Sequence, residues 1–153
     1  MRDALRVARF YFVLLALFTV GRWAQSLGDV EYAKGHHVFS IVILTLLAST
    51  YFAAFCRRWR GYGLLQAVLL GMTLGLAAQL VIFLSTVISY ALGLHTFFNH
   101  PTALNVTTDL PLSEALVRRA AGLVAGPISN GVAAFIGWFL GALLPDRTPA
   151  PAA

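Results

Sequence analysis

Four histidines are the residues best suited to chemistry in this chain: His36 and His37 side by side, His95, and His100 next to Asn99 and Pro101. Imidazole binds zinc, copper and haem iron, and it titrates near neutral pH. If the segment carrying His36 and His37 lies beside the one that ends at His95, two rings can approach one ion. A haem or a transition metal at one edge of a helical bundle is therefore one reading of the set. The spacing argues against it, because a ligand pair on one helix face sits at i, i+3 or i, i+4, whereas His36 and His37 are adjacent. Interfacial rings hydrogen-bonded to loops and headgroups are the plainer reading, and nothing in the sequence demands a cofactor.

Arginines form the second candidate group. Arg22, followed by Trp23, Gln25 and Ser26, has the chemistry to hold an anionic headgroup or a carboxylate, and the nearby acids Asp29 and Glu31 could pair with it, although a guanidinium that merely reaches toward headgroups is the plainer reading. Arg57, Arg58 and Arg60 flank Trp59 in one short connector and suit anionic lipid. The remaining signatures point away from catalysis. There is no Gly-rich phosphate loop with its lysine, no Gly-x-Ser-x-Gly, no His-Glu-x-x-His and no Cys-x-x-Cys. Asp109 and Glu114 lie five residues apart with no acid/base partner, and they suit the start of the following helix. The lone Cys56 has no intramolecular disulfide partner.

The elements that must position these groups are apolar. Hydrophobic residues make up 59% of the 153, charged residues only 11%, and mean hydropathy is +0.78, against about 25% charged in a soluble domain. A spanning helix needs about 20 apolar residues, with its backbone groups satisfied within itself. Phe10 to Gly21 is charge-free but short, so the first span reaches past Arg9 and Arg22. Val38 to Cys56 crosses once. Gly61 to Leu94 is about 34 residues, or about 51 Å of helix, and must tilt or protrude. Ala120 to Leu144 contains Gly126-Pro127, where a bend is expected. The N-terminus resembles a secretory signal, but Gly21-Arg22-Trp23-Ala24 is a poor cleavage site, so an uncleaved first helix is expected.

The expected fold is thus an all-α integral membrane protein, a four-helix bundle forming one domain over 1–144. Its spans lie at about 7–27, 37–56, 62–93 and 116–144, and a flexible Pro/Ala tail covers 145–153. With the N-terminus inside, Arg2, Arg6, Arg9, Arg57, Arg58, Arg60 and Arg147 lie on the inner side. Arg22, Lys34, Arg118 and Arg119 lie on the outer side. This favours both termini in, as in a bacterial inner membrane, with all four histidines outside. Arg118 and Arg119 run against the rule; either Leu112 to Ala125 beginning as an amphipathic surface helix or a straight, protruding fourth helix would accommodate them. The apolar stretch His95 to Glu114 should form a partly structured outer loop or meet a partner.

Small residues indicate how the spans pack. Gly71, Gly75 and Gln79 share one face of the third span; Gly122, Gly126, Asn130, Ala133, Gly137 and Gly141 share one face of the fourth. These faces should meet, with Gln79 and Asn130 at similar depth and hydrogen-bonded. Packing suits the two amides better than a solute path, and no carboxylate lies in any span to couple ions. The net charge of +5 is juxtamembrane, which excludes nucleic acid as the natural partner and leaves the bilayer, another protein or a second copy. The leading expectation is a noncatalytic small membrane subunit or assembly partner of a larger complex. An oligomeric channel or small transporter comes next, and a haem- or metal-binding redox protein third.

Overall fold

Helix starts and stops are set by a few side chains. In a computed structural model that describes residues 6–28 and 30–145, four long helices carry the chain: α1 (Arg9–Leu27), α2 (Ile41–Arg60), α3 (Leu64–Ala91) and α4 (Leu112–Leu140). Ser40 caps α2 by accepting the Ile43 N–H (3.4 Å). Gly61 ends it in the left-handed region (φ 67°), and the Tyr62 N–H closes back on Cys56 O (3.1 Å). Gln66 caps α3 from inside, its Oε1 accepting the Gly63 N–H (3.0 Å). All four helices are long and apolar enough to cross a membrane, and the chain is a multi-pass membrane protein. Among the described residues there is no strand.

One expectation about these elements needs correction. The second helix begins at Ile41 rather than at about 37, which leaves His36 and His37 outside it. They follow a single helical turn (Tyr32–Gly35), because Phe39 at φ 53° and the Ser40 cap stop α2 from extending back to them. Of the two arrangements open for Leu112 to Ala125, the continuous fourth helix is the one formed, not a separate surface helix. α4 runs unbroken through Gly126-Pro127, and its packing on α3 and α2 holds it where one backbone hydrogen bond is missing. The tail 146–153, Arg2 and Asp29 lie outside the described residues.

The principal seam joins α3 to α4 in antiparallel register. A Cβ on Gly71 would stand 2.5 Å from Asn130 O and from Ala134 Cβ, and one on Gly75 2.8 Å from Gly126 O. Only hydrogen on those α-carbons lets the backbones approach so closely. The glycine stripe of α4 does not stay on α3. At about 100° per residue, Gly141 lies about 100° round the helix from Gly122. Accordingly Gly122 and Gly126 face Gln79 of α3, while Gly137 faces Thr50 and Gly141 faces Ala54, both of α2.

α1 is the least buried of the four helices and is pinned by Tyr11. That side chain is fully buried, and its hydroxyl meets Thr45 Oγ1 (3.0 Å) and donates to Leu74 O (3.2 Å). Tyr11→Phe should therefore lower bundle stability by about 1 kcal/mol, read as an earlier unfolding midpoint in mixed micelles; an unchanged midpoint would show that α1 is held by apolar packing alone.

The connector between α3 and α4 is folded onto the bundle, with Thr96, Phe97, Phe98 and Leu104 buried. Thr86 Oγ1 donates to Phe98 O (3.1 Å), Ser26 Oγ accepts the Phe97 N–H (2.9 Å), and Tyr90 donates to Leu110 O (2.7 Å).

Candidate functional site

Two arginines enter the same end of the bundle from opposite helices. Arg22, in the second-last turn of α1, donates through Nη1 to His36 O (2.7 Å) and Val38 O (3.3 Å). Its guanidinium carbon lies 4.7 Å from the Phe97 ring centroid and 5.8 Å from that of Tyr32. Arg119, from the second turn of α4, donates through Nε to Thr86 Oγ1 (3.0 Å) and through Nη2 to Phe98 O. Between them lies a cavity of about 210 Å³, also lined by His36, His37, Ser40 and Phe97.

Among the described residues, the two guanidiniums have neutral partners: carbonyls, the Thr86 hydroxyl and, for Arg22, the Tyr32 hydroxyl. The one ion pair among the described residues is Lys34–Glu31 (2.7 Å), an exposed contact between neighbouring turns. Arg119 also lies close enough to Arg22 to feel its charge. Carbonyl acceptors offset part of the cost of drawing a cation from water, but they do not cancel its charge. The start of α2, with Ser40 at its cap, adds the positive end of a 20-residue helix dipole. The cavity therefore carries a positive potential, and among the described residues no hydrogen bond pairs Ser40 with His36 or His37 as nucleophile and base.

The histidines do not converge on one point. His36 Nδ1 lies 3.2 Å from Tyr32 O and 3.1 Å from Ala33 O, so it donates. His37 lies against His36, with ring centroids 3.6 Å apart. His100 stacks on Tyr32 at 4.1 Å, as His36 does at 5.5 Å. It is thus His100, through Tyr32, that comes near His36. His95 is exposed and borders a separate cavity of about 460 Å³ with His100 and Asp109. Among the described residues, no three His, Cys, Asp or Glu side chains are grouped to hold a metal ion.

Burial pushes the His100 imidazolium below its usual range, and Asp109 partly opposes this. A group depressed on folding stabilises the fold fully above its unfolded pKa of about 6.5 and loses that contribution as pH falls. Protection factors over residues 96–106, taken relative to the intrinsic exchange rate at each pH, should consequently fall between pH 7.5 and pH 5.5, and this fall should shrink in His100→Gln. Identical pH dependence in that variant would remove His100 as the cause.

At the other end of the bundle, the three connector arginines diverge. Arg57 turns onto α4, its guanidinium carbon 3.7 Å from the Trp138 ring centroid and its Nη1 donating to Trp138 O (2.8 Å). Arg58 donates to Pro145 O (3.3 Å). Arg60 joins Arg6 and Arg9 around a groove of about 370 Å³ floored by Tyr51, Phe52 and Phe55.

No family model, curated protein or solved structure matches this chain. The site therefore rests on its own geometry.

Sequence reasoning missed Arg119 and Tyr32. A signal for Arg119 existed: it precedes Gly122 by three residues and Gly126 by seven, which places it on the packing face of α4, while Arg118 lies about 100° away and is exposed. For Tyr32 there was none, because its place depends on the turn that folds His36 back beneath Arg22.

The polar residues of the seam are also redistributed. Asn130 accepts from Ser49 Oγ (2.9 Å) and donates to Gly126 O (2.9 Å). No hydrogen bond joins it to Gln79, which packs on Gly122 and Gly126 instead. In the antiparallel register the two amides stand about 9 Å apart along the axis, one over each helix's glycine pair.

Proposed function

We propose that this protein is a noncatalytic integral membrane component, a small subunit or assembly partner that works by binding rather than by turnover. The supporting observation is how its interior polar groups are used. Tyr11, Ser49, Thr50, Ser89 and Asn130 each bond to a neighbouring hydroxyl, amide or carbonyl within the fold. They serve as contacts between elements, which is what a compact scaffold needs and what a solute path does not. In this reading the end carrying Arg6, Arg9 and Arg57 to Arg60 faces the cytoplasm of a bacterial inner membrane, both termini are inside, and the histidine end faces outward.

The test is native mass spectrometry of the protein extracted in mild detergent, with an absorbance spectrum and solute flux in proteoliposomes on the same preparation. A stoichiometric partner chain or a defined homo-oligomer, with no flux above empty vesicles, is the expected result. A lone chain with solute flux would replace this reading with a transporter, and a stoichiometric Soret band would replace it with a haem protein.

A further inference from the structure

We propose that the cavity between Arg22 and Arg119 binds a phosphate group, and specifically that of an anionic phospholipid whose ester arms lie along the apolar wall. The first ground is charge. Two guanidiniums from separate helices line one cavity, their partners among the described residues are neutral, and the positive end of α2 adds to their field. An oxyanion placed there removes a repulsion as well as gaining an attraction, which makes it worth more than at an isolated surface arginine.

The second ground is donor geometry. Arg22 uses Nη1 for the carbonyls of His36 and Val38, and Arg119 uses Nε and Nη2 for Thr86 and Phe98. The Tyr32 hydroxyl is a further partner of Arg22, and a guanidinium carries five N–H donors, more than these bonds among the described residues take up. Ser40, at the start of α2, adds a hydroxyl to the same cavity. Donors arriving from α1, α4 and the start of α2 suit a tetrahedral oxyanion better than a planar carboxylate, which takes its best hydrogen bonds in one plane.

The third ground is shape. A water takes about 30 Å³ of liquid, so about 210 Å³ holds a phosphate and the first atoms of its esters. Ile41, Ile82 and Phe98, all buried, supply the apolar wall. A free phosphate would leave that wall unused; an esterified one would cover it.

The experiment uses the full-length protein in detergent micelles and three probes: short-chain phosphatidylglycerol, phosphatidylcholine of the same chain length, and inorganic phosphate. Binding is read by native mass spectrometry and by the rise in melting temperature that a native-state ligand produces. Phosphatidylglycerol should bind at least tenfold more tightly than phosphatidylcholine. Arg22→Gln and Arg119→Gln should each weaken it about tenfold, while Arg118→Gln, one residue from Arg119 but exposed, leaves it unchanged. If a glutamine variant fails to fold, Arg22→Lys and Arg119→Lys keep the charge but lose the fork, and a threefold or greater loss is then expected. Inorganic phosphate binding as tightly as phosphatidylglycerol, with the same arginine dependence, would overturn the lipid assignment and leave a soluble phosphate as ligand. Equal affinity for the two lipids, or full affinity in the arginine variants, would overturn the site.

Discussion

Gly137→Ala should destabilise the bundle by about 2 kcal/mol, although alanine is the better helix former. In a helix interior the propensity difference favours alanine by up to about 1 kcal/mol, so a loss of stability would show that a tertiary contact outweighs it. That contact is backbone to backbone. A Cβ on Gly137 would stand 2.7 Å from Thr50 Cα and closer still to Thr50 O, and neither atom can rotate away as a side-chain terminus would. The helices must separate, at an overpacking cost of about 1–3 kcal/mol. Separation also stretches the Thr50 Oγ1 hydrogen bond to Ala133 O (3.3 Å) and the nearby Ser49–Asn130 bond. Gly63→Ala is the matched control: its backbone is extended (φ −68°, ψ 164°) and nothing lies within 4 Å of the new Cβ, so the change should stay within about 0.5 kcal/mol. Unfolding each variant with increasing SDS in mixed micelles, followed by circular dichroism, gives both numbers. Equal midpoints for the two alanine variants would mean that α2 and α4 do not meet at this point.

The four helices were legible because bilayer thickness and backbone satisfaction leave little freedom: a run of about 20 apolar residues bounded by arginines has one stable solution. Glycine periodicity marked the packing faces equally well, since few other residue types permit such close approach. Which neighbour each part of a face would meet was not legible. A stripe that winds about 100° round α4 passes from α3 to α2, and that transfer depends on how three helices pack together. The candidate site shows the same division. Arg22 and the histidines stood out by type, but the cavity exists because a connector of apolar residues, Phe97 and Phe98 among them, folds back and is held by Ser26 and Thr86. Those are long-range contacts between a loop and three helices, and no local pattern encodes them.

The same winding separates the two interior amides, and the separation is measurable. Asn130→Leu should cost about 2 kcal/mol and Gln79→Leu no more than about 0.5. Asn130 is buried and holds two hydrogen bonds, one accepted from Ser49 Oγ of α2 and one donated to Gly126 O (each 2.9 Å). Its loss also leaves the buried Ser49 hydroxyl without that acceptor. Hydrogen bonds between membrane helices average about 0.6 kcal/mol and reach about 1.7, so two broken bonds and one stranded hydroxyl account for the sum. Gln79 is only partly buried and contributes mainly the fit of its methylenes against Gly122 and Gly126, a fit that leucine keeps in large part. Double-mutant cycles separate the two arrangements more sharply than single variants. Ser49→Ala combined with Asn130→Leu should show a coupling of at least about 0.6 kcal/mol. Gln79→Leu combined with Asn130→Leu should be additive to within about 0.5 kcal/mol. Strong coupling in the second pair and none in the first would mean that the amides bond to each other across the seam, with α3 and α4 in a different register.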